Sequence, residues 1–220
     1  MSKRRREVIL VAAFSIVAGL VLGFGMLAGE VLEGDTEAFD RLVLQTLRSN
    51  GDLADPIGPD WREEFARDVT ALGSYAFLGV LVVALVGYLL LTNRRGRAWL
   101  IFGAAVAGVA ISNGLKILFD RPRPDLPTTV KVFSASFPSG HATLSAIIFL
   151  TLGTLLAQIH PEPRMKVYFA ALAILLTIAV GISRVYLGVH YMSDVLAGWC
   201  VGGAWALFCW VLSGILRRRQ

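Results

Sequence analysis

Cysteine, histidine and clustered carboxylates are all scarce in this chain, and each scarcity removes a class of function. The two cysteines, Cys200 and Cys209, sit in one apolar run. That arrangement gives neither a disulfide framework nor metal-ligand spacing, and such thiols ordinarily act as small buried hydrophobes. Most of the 16 acidic residues fall between 30 and 68. Near the basic motifs described below only Asp120, Asp125 and Asp194 appear, so the carboxylate cluster of a two-metal site is missing. No internal repeat or low-complexity tract is present. The net charge of +5 comes from short basic runs flanking apolar segments, the pattern of cytoplasmic membrane flanks, and by itself does not imply nucleic acid.

What the chain does have is apolar length. It is 55% hydrophobic with a mean hydropathy of +0.64, high for a soluble globular protein. Six segments, roughly 7–29, 69–91, 98–118, 141–160, 167–185 and 193–216, approach or exceed the ~20 residues that cross a bilayer. The first follows Lys3-Arg4-Arg5-Arg6. It is long for a signal-peptide core and has no small-residue cleavage site before Glu30, so it reads as a retained anchor. The expected fold is all-α: one membrane-embedded domain over 1–220, an integral bundle of six transmembrane helices.

If the six spans alternate, Lys3 to Arg6, Arg94, Arg95, Arg97, Arg164, Lys166 and Arg217 to Arg219 share one side. The positive-inside rule then places both termini in the cytoplasm. The long connection 30–68 falls outside. Within it Phe39, Leu42, Val43 and Leu47 follow a helical period, with Asp35, Asp40, Arg41 and Arg48 as a polar side. The pattern fits a short amphipathic helix lying on the membrane or one packed as an ordinary loop helix. Asp52 to Asp60, with Pro56, Gly58 and Pro59, is expected to be irregular, and Trp61 suits an interfacial anchor. Gly19, Gly23, Gly198 and Gly202 have the spacing of close helix packing.

Charges inside such a chain are costly and rarely idle. They gather in three stretches: Lys116 to Pro124 with Arg121 and Arg123, Pro138-Ser139-Gly140-His141, and Ser183-Arg184 followed by His190 and Asp194. Ser139 is a favoured helix N-cap, and the free amides of a helix start attract an anion. Gly140 allows close approach to the backbone. His190 and Asp194, four apart, share a face if helical, and a carboxylate on one ring nitrogen fixes the tautomer and frees the other. Taken singly, the stretches also fit a plain cap, a structural His–Asp pair and snorkelling cations. All three nevertheless map to the same exterior side.

The pattern Lys-x6-Arg-Pro, Pro-Ser-Gly-His, Ser-Arg-x5-His-x3-Asp resembles the signature of the type 2 phosphatidic acid phosphatase superfamily, which membrane lipid phosphatases share with soluble vanadium haloperoxidases. Lys116, Arg123, Pro124, Pro138, Ser139, Gly140, His141, Ser183, Arg184, His190 and Asp194 fill every position. The likeness covers roughly 98–216, and six spans resemble the bacterial members. It implies His190 as nucleophile, Asp194 as its orienting carboxylate, and His141 as acid and then base. Lys116, Arg123, Arg184, Ser139 and Gly140 would hold phosphate oxygens, with no metal and no cofactor. Arg121, outside the signature, is expected to support at most.

The implied function is hydrolysis of a lipid phosphate in the bacterial cytoplasmic membrane, at its outer face. Candidate substrates are phosphatidic acid, lysophosphatidic acid, phosphatidylglycerol phosphate and polyprenyl diphosphates such as undecaprenyl diphosphate. Rival readings are a haloperoxidase, which six spans oppose, a lipid transporter or scramblase that keeps a phosphate site, and a structural membrane protein.

Overall fold

A computed structural model describes residues 3–49, 52–126 and 134–216. In hydrocarbon a chain must satisfy its own backbone, and helices do so locally. The apolar segments accordingly form α1 (Lys3–Glu33), α5 (Arg95–Phe119), α6 (Gly140–Ile159), α7 (Pro163–Tyr186) and α8 (Met192–Leu216). Each is long and apolar enough to cross a membrane. Two further helices, α3 (Asp60–Ala71) and α4 (Tyr75–Leu91), are together long and apolar enough for a sixth crossing and are bent by 42° at their junction. The chain is an integral membrane protein built from helices.

This bent pair corrects one expectation. The apolar segment over 69–91 is not one continuous helix but an elbow at Leu72–Ser74. The Ser74 hydroxyl accepts from the Phe77 amide at 3.1 Å and so starts α4 afresh. Gly73 fills the corner. A methyl group there would stand 2.4 Å from Val180 Cγ1 and 3.4 Å from His141 Cδ2, so the elbow presses directly on α6 and α7.

Segment 30–68 is more ordered than its composition suggests. After α2 (Glu37–Thr46), β1 (Arg48–Ser49) pairs antiparallel with β2 (Asp52–Pro56), a strand where irregular chain was expected. Anchors on both sides account for it. The Ile57 amide donates to Leu47 O at 3.0 Å, the Tyr186 hydroxyl to Ile57 O at 2.9 Å, and Arg48 Nη1 to Tyr186 O at 2.8 Å. Part of the expected polar side of this segment is also placed differently. Asp40 and Leu44 are buried, whereas Phe39 and Leu42 are exposed. Asp40 turns inward because buried donors wait for it there. Arg48 is likewise buried rather than part of a polar surface. Trp61 is exposed beside the Arg62 guanidinium.

α6 is the axis of the bundle and buries almost its whole first half. Gly198 and Gly202 let α8 lie against it. Cβ atoms there would fall 2.9 Å from Ser139 O and 2.5 Å from Thr143 O. A Cβ at Gly23 would lie 3.8 Å from Cys200 Sγ, but one at Gly19 would meet nothing within 4 Å, so packing within the chain does not explain that glycine. At one end of the bundle, Arg94, Arg95, Arg97, Gln158 and Ser213 help line a cavity of about 600 Å³. Of the other basic groups used to orient the chain, Arg217 to Arg219 and the side chains of Lys3, Arg5 and Arg6 lie outside the described residues.

Candidate active site

At the opposite end of the bundle, four helix termini converge: the ends of α5 and α7 and the starts of α6 and α8. Each brings part of one polar cluster into an otherwise apolar body.

From α5 comes Lys116, buried in the last turn, whose ammonium donates to Ala135 O. The chain leaves α5 through Asp120 in the left-handed region (φ 39°) and runs into the Pro122 and Pro124 loop. Packing of Phe137 against Phe24 and Phe119 ties its far side to α1 and α5. Arg123 is held by this loop: Nε donates to Ser134 O at 2.7 Å, Nη1 to Val189 O at 2.6 Å, and Nη2 to Ser134 Oγ at 3.1 Å.

The start of α6 brings Ser139, Gly140 and His141. Ser139 occupies the N-cap position, but its hydroxyl does not cap the helix. Its amide donates to Asp194 O at 2.9 Å and its carbonyl accepts from Thr143, leaving the buried hydroxyl with no partner. The amides of Gly140, His141 and Ala142 have no intrahelical acceptor, as at any helix start. Around the Cα of Gly140, a Cβ would meet Tyr75 Oη at 3.3 Å and Lys116 Cε at 3.4 Å. His141 lies within electrostatic reach of Arg184, Arg123, Lys116 and the His190 ring. The two imidazoles and three cations thus form one electrostatic cluster.

From α7, Arg184 donates through Nη1 to Thr70 Oγ1 at 3.0 Å, while its buried Nε has no partner. Ser183 bonds back to Val180 O at 2.7 Å and so does not face the cluster. The turn Leu187–Tyr191, with Gly188 at φ 71°, then presents His190.

His190 is buried, and its two nitrogens have different neighbours. Nε2 lies 3.0 Å from Arg123 Nη1, and Nδ1 lies 3.3 Å from Asp194 Oδ2. A guanidinium only donates. Nε2 is therefore the acceptor, carrying the lone pair, and the proton sits on Nδ1 facing Asp194. Burial drives the imidazole from its ordinary 6.5 down to about 3, against the pull of Asp194. Burial likewise lowers Arg123, opposed by Asp194.

The reason for the His190–Asp194 juxtaposition differs from the one inferred from spacing. His190 precedes α8 and shares no helical face with Asp194. Asp194 instead reaches back from the third helical position to the Tyr191 amide at 2.9 Å, one half of a capping box. Its Oδ2 also accepts from the Ser136 hydroxyl, and Oδ1 accepts from Arg121 Nη1 at 2.7 Å. Sequence reasoning missed Ser136, Thr70 and Tyr75. Each is an ordinary polar residue outside a motif, and only the fold brings it to the site. Among the described residues, no group of three or more His, Cys, Asp or Glu is arranged to hold a metal.

Residues 97–218 match the family model of the PAP2 superfamily. The chain belongs to this superfamily. Among PAP2-like relatives, phosphatidylglycerophosphatase B of Bacillus subtilis is 32% identical over 145 residues, covering 64% of this chain and 70% of that protein. Decaprenylphosphoryl-5-phosphoribose phosphatase of Mycobacterium tuberculosis is 37% identical over 142 residues, 62% of this chain and 72% of that protein. The crystal structure of a transmembrane PAP2 type phosphatidylglycerolphosphate phosphatase from Bacillus subtilis superposes with a TM-score of 0.84. It is 26% identical and covers 93% of this chain and 98% of that one. The matched stretch contains Lys116, Arg123, Ser139, Gly140, His141, Arg184, His190 and Asp194.

Proposed function

We propose that this protein hydrolyses lipid phosphates without a metal, through a covalent phosphohistidine on His190. As a PAP2 member with named phosphatase relatives, it is a phosphoric monoester hydrolase acting on membrane lipids. One observation carries the finer reading: the Nε2 lone pair of His190 faces the Arg123 guanidinium while Asp194 holds Nδ1–H.

Phosphoryl transfer needs in-line positioning and neutralisation of charge spread over three oxygens. Lys116, Arg123, Arg184, the Ser139 hydroxyl and the Gly140 amide would bind those oxygens, replacing contacts they make within the protein. His190 Nε2 attacks phosphorus as the bond to the lipid oxygen breaks, and His141 gives that oxygen its proton. His141 then takes a proton from water, the water oxygen attacks phosphorus, and the P–N bond breaks. Inorganic phosphate leaves and neutral His190 is regenerated. Its depressed pKa keeps His190 unprotonated and nucleophilic throughout the physiological range.

The substrate keeps its tails in the bilayer and offers a phosphomonoester or diphosphate headgroup. A groove of about 470 Å³ lies beside the cluster, and its lining mixes Arg41 and Arg48 with Glu37 and Asp125. By the positive-inside rule the cluster faces the exterior of a cytoplasmic membrane, with both termini inside.

The test is release of inorganic phosphate by purified protein from phosphatidic acid, lysophosphatidic acid, phosphatidylglycerol phosphate and a polyprenyl diphosphate. His190→Ala and His141→Ala are each expected to lower turnover at least 100-fold with the fold intact. Wild type stopped with acid-free quench should carry an alkali-stable phosphoenzyme that His190→Ala lacks. EDTA should leave the rate unchanged; activity lost in EDTA and restored by Mg²⁺ would refute the metal-free route.

A further inference from the structure

The carboxylate that orients His190 is itself held by a second charged pair. Arg121 Nη1 donates to Asp194 Oδ1 at 2.7 Å and to Ser193 Oγ at 2.8 Å. Arg121 Nη2 donates to Asp40 Oδ2 at 2.9 Å. Asp40 in turn accepts from the Ser193 amide at 3.0 Å and from its hydroxyl at 2.5 Å, so a carboxylate from α2 caps the start of α8. The guanidinium also lies over the Tyr191 ring, 4.3 Å from its centroid. Both carboxylates are fully buried. Burial alone would depress Arg121, but Asp194 and Asp40 outweigh it and raise it above its ordinary value.

We propose that Arg121 and Asp40 are positioning residues: together they clamp α2 onto the start of α8 and fix the Asp194 carboxylate in the orientation that holds the His190 tautomer. A planar fork suits this task because its two outer nitrogens reach two carboxylates at once, which an ammonium cannot do with the same rigidity. Neither residue touches the anion-binding groups Lys116, Ser139 or Arg184 in any contact described above. Their loss should therefore act on turnover rather than on substrate affinity. The inference rests on the reading of His190 as nucleophile, but its primary readout does not.

That readout is ¹⁵N NMR of histidine-labelled protein in detergent. Only three histidines are present, and His141→Ala and His160→Ala assign the His190 signals. Wild type is expected to show a single tautomer protonated at Nδ1. Arg121→Gln and Asp40→Asn should each give mixed tautomers at His190, and Arg121→Lys should fall between. With a lipid phosphate, kcat should drop about 100-fold in Arg121→Gln and about tenfold in Asp40→Asn and Arg121→Lys, with KM changing less than threefold. If Arg121→Gln fails to fold, Arg121→Lys and Asp40→Asn carry the test. An unchanged tautomer with wild-type kcat in the folded variants overturns the proposal, as does a loss confined to KM. A tautomer shift without any phosphoenzyme in wild type would leave the clamp standing and remove the phosphohistidine reading instead.

Discussion

His190 shows how a buried group links chemistry to stability. Its folded pKa of about 3 lies below its ordinary 6.5, so below pH 6.5 the unfolded chain binds a proton that the folded protein refuses. Stability contributed by the neutral ring is complete above 6.5 and declines as pH falls toward 3. At pH 5.5 the loss is on the order of 1 kcal/mol. Thermal unfolding in detergent should therefore weaken more between pH 7.5 and 5.5 in wild type than in His190→Asn, and parallel curves would contradict the assignment. Gly140 makes a complementary case. Replacing it with alanine removes a helical glycine, a gain of up to ~1 kcal/mol. The added methyl group would press on Tyr75 Oη and Lys116 Cε. Gly140→Ala should thus melt no lower than wild type yet lose roughly tenfold in activity, because Lys116 is displaced from its phosphate-binding place. At this scale the sequence was informative wherever a residue type is rare in membranes: Lys116, Arg184, His190 and Asp194 are costly there and so conspicuous. Asp40 was misplaced because a surface loop tolerates acids, and helical period alone does not reveal that Arg121 and Ser193 wait inside.

Among the elements, the elbow between α3 and α4 has the most direct hold on the site. Thr70 on one side contacts Arg184, and Gly73 at the corner lies so close to α6 and α7 that a Cβ there would meet His141 and Val180. Gly73→Ala would place its methyl group 2.4 Å from Val180 Cγ1, an overpacking worth about 1–3 kcal/mol. The prediction is a lower melting temperature together with reduced kcat, both largely restored in Gly73→Ala/Val180→Ala. Failure of the second substitution to rescue would show that the elbow does not act through this contact. Hydropathy could not reveal the break, because Leu72, Gly73 and Ser74 continue an apolar run and a serine N-cap is visible only once the helix has stopped. The β1–β2 hairpin was hidden for a related reason. Pro56, Gly58 and Pro59 signal irregular chain locally, whereas the bonds from Arg48 and Tyr186 that hold the hairpin come from afar.

For the whole molecule, the spans were legible because apolar length is a direct consequence of bilayer thickness. Which helices touch was not, since lipid tails and neighbouring helices are equally apolar. The choice falls to small residues such as Gly198 and Gly202 that admit the α6 backbone. Orientation is open to a direct experiment. In a Cys200→Ala/Cys209→Ala background, Asp55→Cys in β2 should react with a membrane-impermeant maleimide on intact cells. Arg95→Cys at the other end of the bundle should react only after permeabilisation. The reverse pattern would turn the site toward the cytoplasm. Finally, the way α2 caps α8 bears on chimeras. The connection from α1 to α3, residues 34–59, is an inviting unit to exchange when headgroup preference is to be redesigned. A donor segment without a carboxylate at position 40 would leave Arg121 with Asp194 alone and bare the amide of Ser193. Such exchanges should succeed only when the insert and the two residues that receive it are transplanted together.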